Sequence, residues 1–157
     1  MIETISEALG KATVTLNLQS RKKADVISEL VGSLVNAGAI ADPKPVADAV
    51  IEREAMMSTG IGEGVAVPHC LTSAVDRTVI AFGRHRKGIK FDAVDNKPVK
   101  LFFLMVGPLG AHSEHLRLLS RLSRLLRDET FKSALLEAET ADEVVDTFDQ
   151  RERERGG

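Results

Sequence analysis

Residues 57–70 read MSTGIGEGVAVPHC, and the other predicted elements of the chain are arranged around this stretch. Alternating glycines occupy its first half, and a short apolar run of valine and alanine follows. Valine is β-branched and favours a strand, and Pro68 ends that strand because proline has no N–H for a ladder. His69 is therefore predicted to lie where a buried strand reaches the surface, which is a position suited to chemistry.

The composition is that of an ordinary globular protein. The chain has 157 residues, enough for one domain with a buried core, of which 43% are hydrophobic and 28% charged. A net charge of −2 gives no basic surface for nucleic acid or membrane binding, and no apolar run approaches the ~20 residues of a membrane span. The lone cysteine fits a reducing cytoplasm, and the first ten residues lack the pattern of a signal peptide. We therefore expect a freestanding cytoplasmic domain.

The apolar residues alternate between helical and strand periods along the chain. A near-continuous apolar run over 99–106 predicts a central strand that is covered on both faces. Strands interleaved with helices favour an α/β layered fold, here a single domain over 1–150. The charged residues 151–157 are predicted to form a disordered tail. Helices are also predicted within 1–10, after Ser20, after Asp42, over about 113–127 and from Thr140, and strands over 12–18, 77–84 and 89–91.

The sequence around His69 also resembles a known family. Glu54, then Ile61-Gly62, then VAVPHC over 65–70 is similar to the signature of the IIA domains of the bacterial phosphoenolpyruvate-dependent phosphotransferase system. The class is the one that contains the fructose, mannitol and nitrogen-regulatory domains. The resemblance extends over roughly 5–149, and it implies a mixed, roughly five-stranded sheet between helical layers. It also implies that His69 carries a phosphoryl group.

The chemistry of histidine agrees with that role. With a pKa of about 6.5, a histidine is largely neutral at pH 7. A neutral ring nitrogen can attack a phosphoryl group and later release it to another nucleophile. From spacing alone His69 also fits a surface histidine after a turn, and it is the resemblance that favours the acceptor.

Two further residues are predicted to stabilise the transfer. His115 begins the long helix, whose positive end favours a phosphate, and the resemblance implies that it lies beside His69. Arg53 takes the place of the family's arginine before the glycine stretch, and a guanidinium matches phosphoryl oxygens geometrically. Each residue also fits a structural role, His115 at the start of an apolar stripe and Arg53 in a surface ion pair.

Other residues near the motif have less direct roles. Thr59 is a candidate hydrogen-bond donor to the phosphoryl oxygens, and Gly62 and Gly64 leave room for the group to approach. His112 is expected at the rim as a solvated loop histidine. Glu63 stands where the family is associated with asparagine, and its side chain is expected to point to solvent.

The main alternative is a zinc site formed by His69, Cys70, His112 and His115, because zinc binds nitrogen and sulfur ligands. Against it, adjacent side chains on a strand point in opposite directions, and neither C-x-x-C nor H-E-x-x-H occurs. A nucleotide site at the glycines lacks the G-x-G-x-x-G spacing. A non-catalytic binding module that has lost phosphorylation also remains open.

The sequence thus predicts a phosphohistidine carrier that accepts its group on His69 from an HPr-like protein. No metal or organic cofactor is expected, because the N–P bond itself carries the group. The first interpretation is a nitrogen-regulatory IIA that acts on a target protein. The alternative is a sugar-specific IIA that passes the group to a IIB cysteine. Nucleic acid and membrane insertion are not expected.

Overall fold

The computed structural model describes residues 4–56 and 60–154, apart from the side chain of Ile61. Within these residues, one mixed sheet lies between two layers of helices, as predicted. None of the helices in the described part combines the length and the apolarity that a membrane crossing needs. The strands are β1 (Leu9–Thr15), β2 (Gly60–Gly62), β3 (Val65–Ala66), β4 (His69–Thr72), β5 (Val79–Ile89) and β6 (Val99–Pro108). The helices are α1 (Ile5–Ala8), α2 (Lys23–Asn36), α3 (Pro43–Met56), α4 (His112–Leu125), α5 (Glu129–Glu137) and α6 (Ala141–Glu154).

The strand order is β1-β5-β6-β3-β2, and β4 also pairs with β6. Both β3 and β4 run parallel to β6, so they are two segments of one strand position. The described strands therefore fill five positions, which agrees with the expected sheet. Among the described residues, β2 pairs with β3 and does not extend to β4, so β4 lies at an open edge of the described sheet.

The sheet separates two apolar cores, and β6 contributes to both. Phe102 and Leu104 pack on one face with α2 and α3. Phe103 and Met105 pack on the other face with α1, α4, α5 and α6. This alternation is the period of two that a strand imposes on its side chains. The prediction of a central strand covered on both faces is confirmed.

The region after residue 76 differs from the predicted pair of strands. A single strand, β5, replaces them, and its pairing with β6 shifts register between Arg84 and Ile89. Gly88, between the two predicted strands, lies in this bulge with a φ of 82°. A bulge absorbs extra residues without ending the strand. The sequence analysis also missed α5, a short helix whose N-terminal N–H groups are capped by Asp128.

The prediction of a disordered tail is wrong for residues 151–154, because they belong to α6, which ends at Glu154. Glu152 is only 5% exposed, although it is charged. Its carboxylate accepts hydrogen bonds from the N–H groups of Ile5 at 2.8 Å and Ser6 at 2.9 Å. N–H groups at the start of a helix have no partner within the helix. The carboxylate of Glu152 in α6 therefore stabilises the start of α1. The last three residues lie outside the described part.

Candidate functional site

Pro68 interrupts the strand position beside β6 without ending it, which corrects the expected strand end. β3 stops at Ala66 and β4 begins at His69, and both pair with β6. Pro68 has no N–H to donate, but its carbonyl accepts from the N–H of Met105 at 3.0 Å. His69 is thus held at the start of a paired strand, on the open edge of the sheet.

The His69 ring is oriented by its own backbone neighbourhood. Nδ1 lies 2.8 Å from the carbonyl oxygen of Val67. A carbonyl oxygen can only accept, so Nδ1 carries the proton and Nε2 keeps its lone pair. Burial is the largest influence on the pKa of His69 and lowers it; Arg53 also lowers it, while the bond to Val67 and the charge of Glu54 oppose the change. His69 is therefore a neutral ring at pH 7 with a nucleophilic Nε2.

His115 lies next to His69, as the sequence analysis expected. The centroids of the two rings are 5.4 Å apart, and the ring planes meet at 50°. His115 is only 3% exposed, and α4 is held in place by buried Leu118 and Leu122. Burial, and to a lesser extent His69 and His112, lowers the pKa of His115 to about 4. This ring is neutral at pH 7 and can donate one hydrogen bond.

The position of His115 within the helix differs from the prediction. α4 begins at His112, so His115 is its fourth residue. Its backbone N–H donates to the carbonyl of Ala111 at 3.0 Å. It is therefore the side chain of His115, and not a free N–H at a helix start, that faces His69.

Arg53 approaches from the other helical layer. It lies in the last turn of α3, and its charge acts on the pKa of His69. The next residue, Glu54, is 5% exposed and forms an ion pair with Lys23 at 2.9 Å. The structure thus brings together His69, His115 and Arg53, the residues predicted for the acceptor and its two supports.

A cavity of about 470 Å³ opens between α3, β4 and α4. His112 lies exposed at its rim, as predicted, but it is the first residue of α4 and not a loop residue. The sequence analysis missed the apolar part of this rim, where Met56 is 78% exposed and Leu116 is 52% exposed. The available signal was a large apolar side chain on the polar face of a predicted helix, next to a candidate site residue. The cavity is lined by Ala49, Glu52, Arg53, Met56, His69, Cys70, Leu71, His112, His115, Leu116 and Leu119.

The predicted phosphoryl-binding glycines do not line this cavity. Gly62 and Gly64 form the turn between β2 and β3, with φ values of 91° and 80° that L-residues rarely adopt. Five residue steps along an extended chain separate Gly64 from His69, or roughly 16 Å. The geometry therefore assigns both glycines to the turn. Thr59, the other candidate, lies outside the described residues.

Glu63 points to solvent, as expected. Its φ is 57°, in the left-handed region, where asparagine is tolerated better than most residues. The side chain of Lys132 donates to the Glu63 carbonyl at 3.0 Å and holds the turn against α5.

Cys70 lines the cavity, but its side chain does not lie on the side of the sheet where His69 and His115 meet. Its side chain packs in the core formed with α2 and α3, and burial raises the pKa of the thiol to about 11. Adjacent residues on a strand point to opposite faces, and His69 and Cys70 follow this rule. Across residues 4–56 and 60–154, no group of three or more His, Cys, Asp and Glu side chains is arranged to hold a metal ion.

The chain matches a known family over most of its length. Residues 7–151 match the family described as "Phosphoenolpyruvate-dependent sugar phosphotransferase system, EIIA 2". The fructose-specific EIIABC component of Bacillus subtilis is 42% identical over 149 residues, which are 95% of this chain and 24% of that protein, so the chain spans about a quarter of it. The fructose-specific EIIA component of Haloferax volcanii is 40% identical over 147 residues, which are 94% of this chain and 96% of that protein.

Solved structures are similar in fold. The nitrogen regulatory protein IIA-Ntr of Neisseria meningitidis has a TM-score of 0.86 and 31% identity, with 92% of this chain and 98% of that chain covered. Enzyme IIAMTL of Escherichia coli, solved in complex with phosphorylated enzyme IIBMTL, has a TM-score of 0.76 and 22% identity, with 90% and 96% covered. The chain therefore belongs to the EIIA 2 family of the phosphoenolpyruvate-dependent sugar phosphotransferase system.

Proposed function

We propose that Nε2 of His69 is the atom on which this phosphotransferase-system carrier holds its phosphoryl group. The observation that carries the proposal is the hydrogen bond from Nδ1 to the carbonyl of Val67, which leaves the lone pair on Nε2. Nε2 attacks the phosphorus of a phosphohistidine on an HPr-like donor. The new N–P bond forms as the N–P bond of the donor breaks. The electron pair of the broken bond returns to the ring nitrogen of the donor.

His115 and Arg53 stabilise the transfer. In transit the phosphoryl group spreads negative charge over its oxygens, and both residues line the cavity in which that charge develops. A guanidinium binds two oxygens at once, and neutral His115 donates one hydrogen bond. Because these groups are already in position, they need little reorganisation when the phosphoryl group arrives.

The rim of the cavity suits a protein donor. Met56 and Leu116 are exposed apolar side chains on either side of it. Exposed apolar groups around a polar centre are typical of protein contact sites, and methionine adapts to different partners because its side chain is flexible. An HPr-like carrier that docks there brings its phosphohistidine to His69.

For the next acceptor we propose the cysteine of a IIB domain. The fructose-specific relatives described above share more sequence with this chain than the nitrogen regulatory protein of known structure does. A regulated target protein is the second candidate, because that nitrogen regulatory structure has a closely similar fold. Incubation of the phosphorylated chain with a fructose-type IIB distinguishes them, since only the first candidate gives cysteine phosphorylation.

The acceptor role itself is tested by intact mass. The protein is incubated with phosphoenolpyruvate, enzyme I and HPr, and we expect a gain of one phosphoryl group that acid removes and base does not. His69→Ala should gain none, whereas His112→Ala, a histidine variant at the rim, should still gain it. Full labelling of His69→Ala would contradict the proposal.

A further inference from the structure

Buried polar atoms without hydrogen-bond partners are rare in folded proteins, and each one calls for a physical reason. In the described part of the chain three such side-chain atoms occur: the hydroxyl oxygen of Thr78 and both ring nitrogens of His115. Thr78 is 1% exposed and His115 is 3% exposed. All three atoms belong to one place in the structure, beside the candidate active site.

The two side chains face the same point on β6. A Cβ built on Gly107 would lie 3.0 Å from Nδ1 of His115 and 3.3 Å from Oγ1 of Thr78. Gly107 pairs with Leu71 of β4, and Thr78 directly precedes β5. The absence of a side chain at Gly107 therefore leaves room for the Thr78 hydroxyl and Nδ1 of His115 to approach each other.

We propose that Thr78 is a positioning residue for phosphoryl transfer, whose hydroxyl donates a hydrogen bond to Nδ1 of His115 and thereby keeps the proton on Nε2. This inference rests on the proposed roles of His69 and His115. The bond is open in the free protein, where neither atom has a hydrogen-bond partner among the described residues. Hydrogen bonds of active sites are often open in the free protein and tighten only when the reacting group is bound.

The location of the His115 proton matters because the ring is neutral. A neutral imidazole has one N–H, and its other nitrogen presents a lone pair. Nδ1 faces Gly107 and Thr78, which leaves Nε2 for the phosphoryl group. With the proton on Nε2 the ring donates a hydrogen bond to a phosphoryl oxygen. With the proton on Nδ1, the lone pair of Nε2 would instead face a lone pair of the phosphoryl oxygen and repel it. The partner of one ring nitrogen determines which tautomer is present.

The test is Thr78→Val, which keeps the shape of the side chain and removes the hydroxyl. Because this hydroxyl has no partner in the free protein, its loss should leave the folding stability unchanged or raise it. Phosphoryl transfer from HPr should nevertheless slow by about tenfold, and Thr78→Ser should restore most of the rate. In the nitrogen NMR spectrum of the phosphorylated protein, the signals of His115 should change from a protonated Nε2 to a mixture of tautomers.

The matched control is Thr13→Val. Thr13 is also a buried threonine, but its hydroxyl donates to the carbonyl of Ile80 at 2.8 Å. Its replacement should lower stability and leave the transfer rate as in the wild type, which is the opposite pattern. Should Thr78→Val not fold, Thr78→Ala provides the same comparison.

Two results would overturn the inference: a wild-type transfer rate in Thr78→Val, or a reduced rate with unchanged His115 nitrogen signals. A failure of the proposed function looks different. In that case the wild-type protein takes no phosphoryl group on His69. The inference rests on that function and falls with it, whereas a failure of the inference alone leaves the labelling of His69 intact in both the wild type and Thr78→Val.

Discussion

The rings of His69 and His115 face each other with their centroids 5.4 Å apart, one held by β4 and the other by α4. Burial lowers the pKa of both rings. The pair therefore offers a nucleophilic nitrogen and a neutral hydrogen-bond donor within one cavity. The open sheet edge at β4 allows α3 to add Arg53 from the opposite helical layer.

Replacement of His115 should slow phosphoryl transfer without disturbing the fold. His115→Ala removes a group that interacts with the phosphoryl oxygens in transit, and the loss of one such donor typically slows a reaction by ~10²-fold or more. The leucine stripe of α4 remains, so circular dichroism should show the wild-type fold. Single-turnover transfer from phosphorylated HPr, and back to it, measures the rate. Unchanged rates in both directions would leave His115 without a role in transfer.

The buried His115 should also make stability depend on pH. Its pKa is about 4 in the folded protein, against 6.5 for an ordinary histidine. A folded pKa below the unfolded value means that the unfolded chain binds more protons between the two values. The contribution of neutral His115 to the free energy of unfolding is therefore fully present above about pH 6.5. It is lost as the pH drops toward 4, by an amount on the order of 3 kcal/mol.

Urea unfolding at several pH values between 4 and 7 measures this loss. His115→Ala should reduce the dependence without abolishing it, because the pKa of His69 is also lowered by burial. Leu119→Ala, which removes an uncharged side chain from the same cavity, should keep the wild-type slope. A wild-type slope in His115→Ala would mean that His115 does not titrate as a buried group.

Arg53 should affect both the rate and the titration of His69. Its positive charge lowers the pKa of His69, so Arg53→Gln should raise that pKa and slow phosphoryl transfer. Arg53→Lys keeps the charge without the two-pronged geometry, and it should retain the pKa better than the rate. NMR titration and single-turnover kinetics give the two quantities. Arg117→Gln, on the exposed face of α4, should change neither, and an equal effect there would show that only net charge matters.

Glu152 should matter for stability and not for transfer. Its buried carboxylate accepts two N–H groups at the start of α1, and Glu152→Ala leaves them without that partner. We expect a loss of about 1–3 kcal/mol in urea unfolding, with a normal transfer rate for the folded protein. Glu154→Ala, at the exposed end of α6, should be close to the wild type. Equal stabilities of the two variants would contradict the capping role.

Much of this arrangement could be predicted from the sequence. The apolar run over 99–106 is long enough to indicate a strand buried on both faces, and β6 is that strand. The motif that contains His69 indicated the acceptor candidate, and the family resemblance at two other positions indicated His115 and Arg53 as its supports. These features depend on local patterns of residue type, which a sequence carries directly.

Other features depend on contacts between distant parts of the chain. Pro68 indicates a strand end locally, but pairing with β6 resumes the strand at His69. The charged residues at the end of the chain are typical of a frayed tail, yet Glu152 is buried because α1 supplies its hydrogen bonds. Thr78 has no local signal at all, since only the packing of β5, β6 and α4 brings it near His115.

The central claim, that Nε2 of His69 carries the phosphoryl group, is tested most directly by phosphorus–nitrogen correlated NMR. The protein is labelled with nitrogen-15 in its histidines and receives a phosphoryl group from phosphorylated HPr. The account predicts a single phosphorus signal coupled to Nε2 of one histidine, and this signal should be absent in His69→Ala and present in His112→Ala. Coupling to Nδ1, or a signal that persists in His69→Ala, would contradict the account.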